Sequence, residues 1–151
     1  MKELKEKFGE KIASIYEHAP NRIYIEVNRE DLQMVAHYLF RERDMRFITA
    51  SGVDGRSNME ILYHFSEDKS GRIFSVRVRI PKDNLKISSL VSIIKGTEFI
   101  EREIHEMLGI DFVGHPNLRR LLLSEDWPEG IYPLRRDEKG IKDLKDRNWE
   151  K

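Results

Sequence analysis

The chain has 151 residues, 27 basic and 27 acidic side chains and no cysteine. That length fits one domain with a real core, and zero net charge supplies no overall field to gather nucleic acid or an anionic membrane. The lack of cysteine excludes disulfides, thiolate zinc sites and any iron–sulfur cluster ligated by this chain itself.

The opening M-K-E-L-K-E-K-F is too charged for a signal peptide, and no apolar run approaches the roughly 18 residues of a spanning helix, so a cytoplasmic protein is expected. Leu4, Phe8, Ile12, Ile15 and Tyr16 fall on one helical face, and Pro20 marks its stop. Arg22 to Val27 alternates as a strand, with Ile23, Ile25 and Val27 on one side. Asn28, with Asp31 as a shortened capping box, opens a second helix whose stripe is Leu32, Val35, Ala36, Leu39 and Phe40. From Arg46 the period becomes two. Phe47 to Val53 reads as a strand closed by Asp54-Gly55. Met59 to Phe65 and Ile73 to Ile80 flank a polar hairpin loop at Ser66 to Gly71, with Met59, Ile61, Tyr63, Phe65, Phe74, Val76, Val78 and Ile80 turned inward. Gly52, Gly55 and Gly71 are read as turn residues. One-sided alternation of this kind predicts an α+β fold: an antiparallel or mixed four-stranded sheet covered by the two early helices. After a polar loop at Lys82 to Lys86, Ser88 or Ser89 is expected to start a short helical segment through Ile94.

A third helix then starts at Thr97, a candidate cap, with Ile100, Ile104, Met107 and Leu108 at i, i+4, i+7 and i+8 and Gly109 just past its end. Beyond it Gly114, Pro116, Pro128, Gly130 and Pro133 break any long element, yet Phe112, Leu118, Leu121, Leu122, Leu123, Trp127, Ile131, Tyr132 and Leu134 are too apolar for a free tail. The expected division is an α+β domain over 1–110, an irregular docking arm over 111–137 and a charged tail over 138–151. Charged residues make up 36% of the chain and Gln33 is its single glutamine, a balance that leans toward a thermophile source.

Candidate chemistry is sparse. His105-Glu106 resembles the start of a zinc-protease helix motif, but Gly109 stands where the second histidine is required. His115, before Pro116, is expected to bond a nearby carbonyl or carboxylate. Glu103 and Glu106 lie at i, i+3 and could act as acid and base, although helical glutamates are more often solvated or paired with arginine. There is no G-x-S-x-G, phosphate-cradling loop or dinucleotide fingerprint. Arg77 and Arg79 on the open sheet face invite a nucleic-acid reading, against which stand the balanced charge and a lack of interleaved aromatics. The pairs Arg119-Arg120 and Arg135-Arg136 adjoin apolar anchors and the carboxylates Glu125-Asp126 and Asp137-Glu138. Their planar forks can clamp irregular backbone or carboxylates at a protein interface, and they fit that role and simple intrachain pairing equally well.

The run F-I-E-R-E-I-H-E-M-L-G-I-D-F-V-G-H-P-N-L-R-R-L-L-L-S-E-D-W-P-E-G-I-Y-P-L-R-R-D resembles the signature of the 30 kDa subunit family of NADH dehydrogenase (respiratory complex I), also found in membrane-bound hydrogenases and related archaeal complexes. Some forty residues match, and Ser89-Leu90 resembles the family's serine–leucine step upstream. Phe99 stands where quinone-linked members have tryptophan, His105-Glu106 replaces a tyrosine–aspartate pair, and the spacer W-P-E-G-I-Y-P-L is longer than usual. These departures favour a membrane-bound [NiFe] hydrogenase or sulfane reductase relative over an NADH- or F420H2-linked quinone-type oxidoreductase. The resemblance implies a non-catalytic structural and assembly subunit of the peripheral arm on the cytoplasmic side of the membrane. It carries no cofactor, while iron–sulfur clusters and any nickel–iron centre reside in partner subunits. Its partners are the hydrogenase-like large subunit and iron–sulfur subunits, with no nucleic acid and no small-molecule substrate. The interface residues so implied are Glu101, Arg102, Glu103, Phe112, His115, Pro116, Leu118, Arg119, Arg120, Asp126, Trp127, Leu134, Arg135 and Asp137, to which the apolar anchor Tyr132 and the paired Arg136 are added from the arm itself. A rival of another class, a small acid–base enzyme, requires His105, His115 and a carboxylate to converge in one pocket.

Overall fold

In a computed structural model, which describes residues 2–136, a mixed five-stranded sheet carries its helices on one face. The elements are α1 (Lys2–Phe8), β1 (Ile12–Ala19), β2 (Arg22–Val27), α2 (Leu32–His37, continued by a π-helical turn Tyr38–Glu42), β3 (Arg46–Asp54), β4 (Asn58–Glu67), β5 (Arg72–Pro81), β6 (Lys86–Ser88), α3 (Glu98–Leu108) and β7 (Asp111–Val113). Sheet order is β1-β2-β5-β4-β3, antiparallel except for the parallel pair β2 and β5. The period-two reading of β2 to β5 matches the burial: Ile25, Ile61, Tyr63, Phe65, Val76, Val78 and Ile80 are all 0% exposed. Leu32, Val35 and Leu39 of α2, Leu4 and Phe8 of α1, and Ile104 and Leu108 of α3 close over that face.

Three expectations are corrected. The first helix stops at Gly9, which adopts φ +51°, and residues from Ile12 form a fifth strand at the sheet edge. Bulges between Ile12 and Ser14 and between Glu17 and Ala19 break β1's alternation, which is why only an i, i+4 pattern shows in the sequence. Over 89–94 the chain makes only a bend and a turn at 91–93, and the chain before it makes β6, which pairs in parallel with β7. Gly52 lies inside β3, not in a turn. A Cβ there would stand 2.6 Å from Leu108 Cδ1 and 3.1 Å from Ile104 Cγ2, so its absence lets α3 press directly on the strand.

The helix starts also differ from expectation. Asn28 accepts the Asp31 N–H through its backbone carbonyl at 3.1 Å, and α2 begins at Leu32 without a side-chain cap. Thr97 precedes α3, but its hydroxyl donates to the Ile94 carbonyl at 3.0 Å. Gly109 takes φ +74° as the left-handed end of α3.

On the open face β1 brings Tyr16 and His18 beside Tyr24, so aromatics do neighbour the arginines there. Arg77 lies over the Tyr24 ring at 5.6 Å. It faces Glu60 at 3.4 Å, and Arg79 faces Glu26 at 3.1 Å, so both cations meet carboxylates of their own sheet.

Candidate docking arm and its anchors

Helix α3 holds the irregular segment through charged side chains at successive positions around its axis. Glu101 points into the core, 0% exposed, and accepts from the Ser89 hydroxyl at 2.6 Å and the Leu90 N–H at 2.8 Å. It thereby ties the serine–leucine step to the helix. Burial raises its carboxyl above the ordinary range, against the pull of the Ser89 and Leu90 hydrogen bonds. Arg102, 5% exposed, donates to the carbonyls of Arg119 at 3.0 Å and Arg120 at 2.6 Å. One helical turn on, Glu106 accepts the N–H groups of Leu121, Leu122 and Leu123 at 3.2, 2.8 and 3.0 Å. Arg102 and Glu106 share one side of the helix by their i, i+4 spacing, and between them they pair the backbone of five consecutive arm residues.

Other arm residues continue the same logic. His115 accepts from the Asn117 N–H at Nδ1 (3.0 Å), which leaves the Nε2 proton for the Glu98 carbonyl at 3.0 Å. Arg120 folds back onto the carbonyls of Ser124, Glu125 and Trp127, not onto the carboxylates that its sequence neighbours suggest. The Trp127 indole donates to the Ile131 carbonyl at 2.9 Å. Leu134 N–H reaches the Met107 carbonyl at 3.1 Å and Arg135 Nε the Leu108 carbonyl at 2.7 Å, so the far end of the arm closes the C-terminus of α3. Arg135 also stacks on Tyr132 at 4.1 Å, and together they roof Gly109, where a Cβ would stand 2.6 Å from Tyr132 Cζ. Arg136 N–H donates to Asp54 Oδ2 at 2.7 Å, with Lys82 at 2.5 Å from the other oxygen.

The structure sorts the sixteen interface candidates. Glu101, Arg102 and Phe112 are buried within the chain. Phe112, expected in the arm, is 1% exposed on β7 and belongs to the core. Leu118 packs against that core, and His115, Trp127, Tyr132 and Arg135 are half-buried. Pro116, Arg119, Arg120, Asp126, Leu134 and Arg136 are exposed, and Asp137 lies outside the described residues. Glu103 is half-buried and bonds no described side chain or backbone group, whereas Glu106, expected as a solvated or arginine-paired glutamate, is the chief anchor. The i, i+4 relation of Arg102 to Glu106 was the available signal.

A concavity of about 350 Å³ between α3 and the arm is lined by His105, Glu106, Arg120, Trp127 and Tyr132. His105 Nδ1 lies 2.8 Å from the Ile110 carbonyl at one end of α3, and His115 is bound at the other, outside that concavity. The histidine–carboxylate convergence required of an acid–base enzyme is therefore not formed. Among the described residues no group of three or more His, Asp or Glu side chains is placed to hold a metal, and no helix is long and apolar enough to cross a membrane.

The site is thus a charged helix that holds an irregular segment beside a mixed sheet. Residues 25–143 match the family model described as respiratory-chain NADH dehydrogenase, 30 Kd subunit, and the chain belongs to that family. It is 34% identical over 145 residues to the membrane-bound hydrogenase subunit beta of Pyrococcus furiosus, covering 91% of this chain and 83% of that one. It is 32% identical over 145 residues to a subunit of the F(420)H(2) dehydrogenase of Methanosarcina mazei, covering 94% and 91%. The fold is similar to that of a chain in the archaeal membrane-bound sulfane sulfur reductase, with a TM-score of 0.80, 22% identity and coverage of 99% and 94%.

Proposed function

We propose that this chain is a non-catalytic assembly subunit of a complex I-related, membrane-bound oxidoreductase, docking through its arm on the hydrogenase-like large subunit. One observation carries the reading: Arg102, Glu106 and Arg120 satisfy the arm's backbone from within. That leaves Leu122, 62% exposed, and the Arg119 guanidinium, bonded to no described residue, facing outward. An irregular surface shaped in advance, with an apolar side chain and an available guanidinium, suits protein recognition because little ordering cost remains to be met on binding. The hydrogenase and F(420)H(2) dehydrogenase relatives stand at 34% and 32% identity, so the proposal is of the class of complex; Phe99 and His105-Glu106 favour the hydrogenase or sulfane reductase branch within it. On this reading the subunit is peripheral on the cytoplasmic side, and iron–sulfur clusters and any nickel–iron centre belong to partner chains.

The test is co-purification with the large subunit, together with hydrogen exchange. Arg119→Ala and Leu122→Asp should each weaken assembly by about tenfold or more while leaving the chain's own thermal midpoint unchanged. Replacing Arg119 and Arg120 together should release the chain from the complex with its sheet domain intact. Retained co-purification of all of these variants would overturn the reading, whereas exchange over residues 116–136 that is already slow in the free chain is the expected mark of an arm shaped in advance.

A further inference from the structure

The concavity of about 350 Å³ between α3 and the arm is walled largely by polar groups whose hydrogen bonds are already made. Both Glu106 oxygens hold arm N–H groups, the Arg120 fork holds three carbonyls, and the Trp127 indole N–H is held by Ile131. His105 and Glu129 differ. The half-buried His105 imidazole has Nδ1 2.8 Å from the Ile110 carbonyl. A carbonyl oxygen only accepts, so Nδ1 carries the proton and the neutral ring has Nε2 left as a bare acceptor. Nε2 bonds no described residue, and neither does the exposed Glu129 carboxylate.

Besides the Tyr132 hydroxyl, which can give or take a hydrogen bond, the open groups of this concavity are thus two acceptors. The rest of the lining sets the shape of what fits. Leu118, Leu123 and Ile131 are apolar, and no described cation lies over the Trp127 ring. A matching group must donate in more than one direction, carry positive charge toward Glu129 and offer a flat or methylene surface to the ring and the aliphatic side chains. A guanidinium meets all three demands, because it is planar, has five N–H donors and stacks on an indole, whereas an ammonium is a compact, strongly hydrated point charge. Arg120, the arginine of this chain that lines the concavity, is already engaged with backbone.

We infer that this concavity is a socket for one arginine side chain of the large subunit, with His105 Nε2 and Glu129 accepting from the guanidinium and Trp127 lying against its plane. The inference rests on the docking reading above and names the chemistry that the arm recognises.

The experiment compares binding of the large subunit by the parent chain and by variants. In His105→Asn the amide can still donate to the Ile110 carbonyl from near the place of Nδ1, but nothing stands at the place of Nε2. It should weaken binding about tenfold and Glu129→Gln about threefold, with the thermal midpoint of the free chain unchanged. His105→Gln, which returns a carbonyl oxygen near the place of Nε2, should recover part of the loss. The second readout is phenylglyoxal modification of the large subunit's arginines, mapped by mass spectrometry at concentrations where both complexes are fully assembled. One arginine should be protected by the parent chain and modified in the complex with His105→Asn. The same protected arginines in both complexes would overturn the inference. So would parent-like binding by His105→Asn and Glu129→Gln while Arg119→Ala and Leu122→Asp release the chain, a result in which docking stands and the socket falls. Parent-like binding by all four would remove the docking reading and the socket together.

Discussion

The inward face of the sheet, from Ile23 to Ile80, is held by apolar side chains that lose nearly all contact with water, whereas residues 114–136 are held by charged side chains that grip backbone. In the sheet the backbone pairs with itself, so side chains are free to form the core. The arm has no ladder, and every carbonyl or N–H it withdraws from water needs a partner from elsewhere. Arginine forks supply donors to carbonyls and glutamates supply acceptors to N–H groups, which is why Arg102, Arg120 and Glu106 are spent on main chain. Buried charge here fixes the path of the backbone.

The largest expected effect sharpens the first half of that contrast. Glu101 joins the two regions, since it is launched from the arm's helix but bonded to the loop under the sheet. Glu101→Ala strands the Leu90 N–H and the Ser89 hydroxyl in the interior and should cost about 3 kcal/mol. For a chain of this size that is a fall on the order of 10 °C in thermal midpoint. Next in size is Glu106→Ala, which removes the acceptor of three N–H groups in the arm alone. Exchange at Leu121, Leu122 and Leu123 should accelerate about 30-fold, with the domain's midpoint moving by less than about 2 °C. Glu103→Ala, on the same helix, should leave those three amides unchanged. A Glu106 variant that unfolded the sheet would erase the distinction between the two regions.

The same contrast explains what could be read beforehand. Strands β2 to β5 were legible because burial on one face writes a period of two into the residues themselves, and Gly109 marked the end of α3 because only a left-handed residue fits there. Strand β1 was hidden by its bulges, and β6 and β7, three residues each, are defined by a pairing across more than twenty positions that no local pattern records. The stretch 97–137 was recognisable as a helix and an arm, but its wiring was not. Arg120 and Arg135 clamp irregular backbone, one of the two partners expected of such forks, but carbonyls are carried by every residue, so the sequence could not say which ones or exclude Glu125. Glu103 and Glu106 differ by three positions, about 60° around a helix, and that angle decides which one meets the arm.

The smallest effect concerns acid. Glu67, at the end of β4, accepts from Ser70, from Arg72 at 2.7 Å and from Arg43 at 2.7 Å, and these bonds, the Ser70 hydroxyl foremost, lower its carboxyl from 4.5 to about 2. The folded chain therefore keeps Glu67 ionised where the unfolded chain already binds a proton. The stabilisation is complete above about pH 4.5 and is lost as the pH falls toward 2. Arg72 is 37% exposed, so solvent screens part of this network, and Glu67→Gln should cost on the order of 1–2 kcal/mol at pH 7. The gap between variant and parent, measured by denaturant unfolding at a series of pH values, should then close between pH 4.5 and 2. Because Glu67 braces the sheet hairpin and touches no arm residue, exchange at Leu121, Leu122 and Leu123 should be the same in parent and variant at neutral pH. Faster exchange there in the variant would mean that the hairpin and the arm open as one unit, and the two means of holding backbone would no longer be separable.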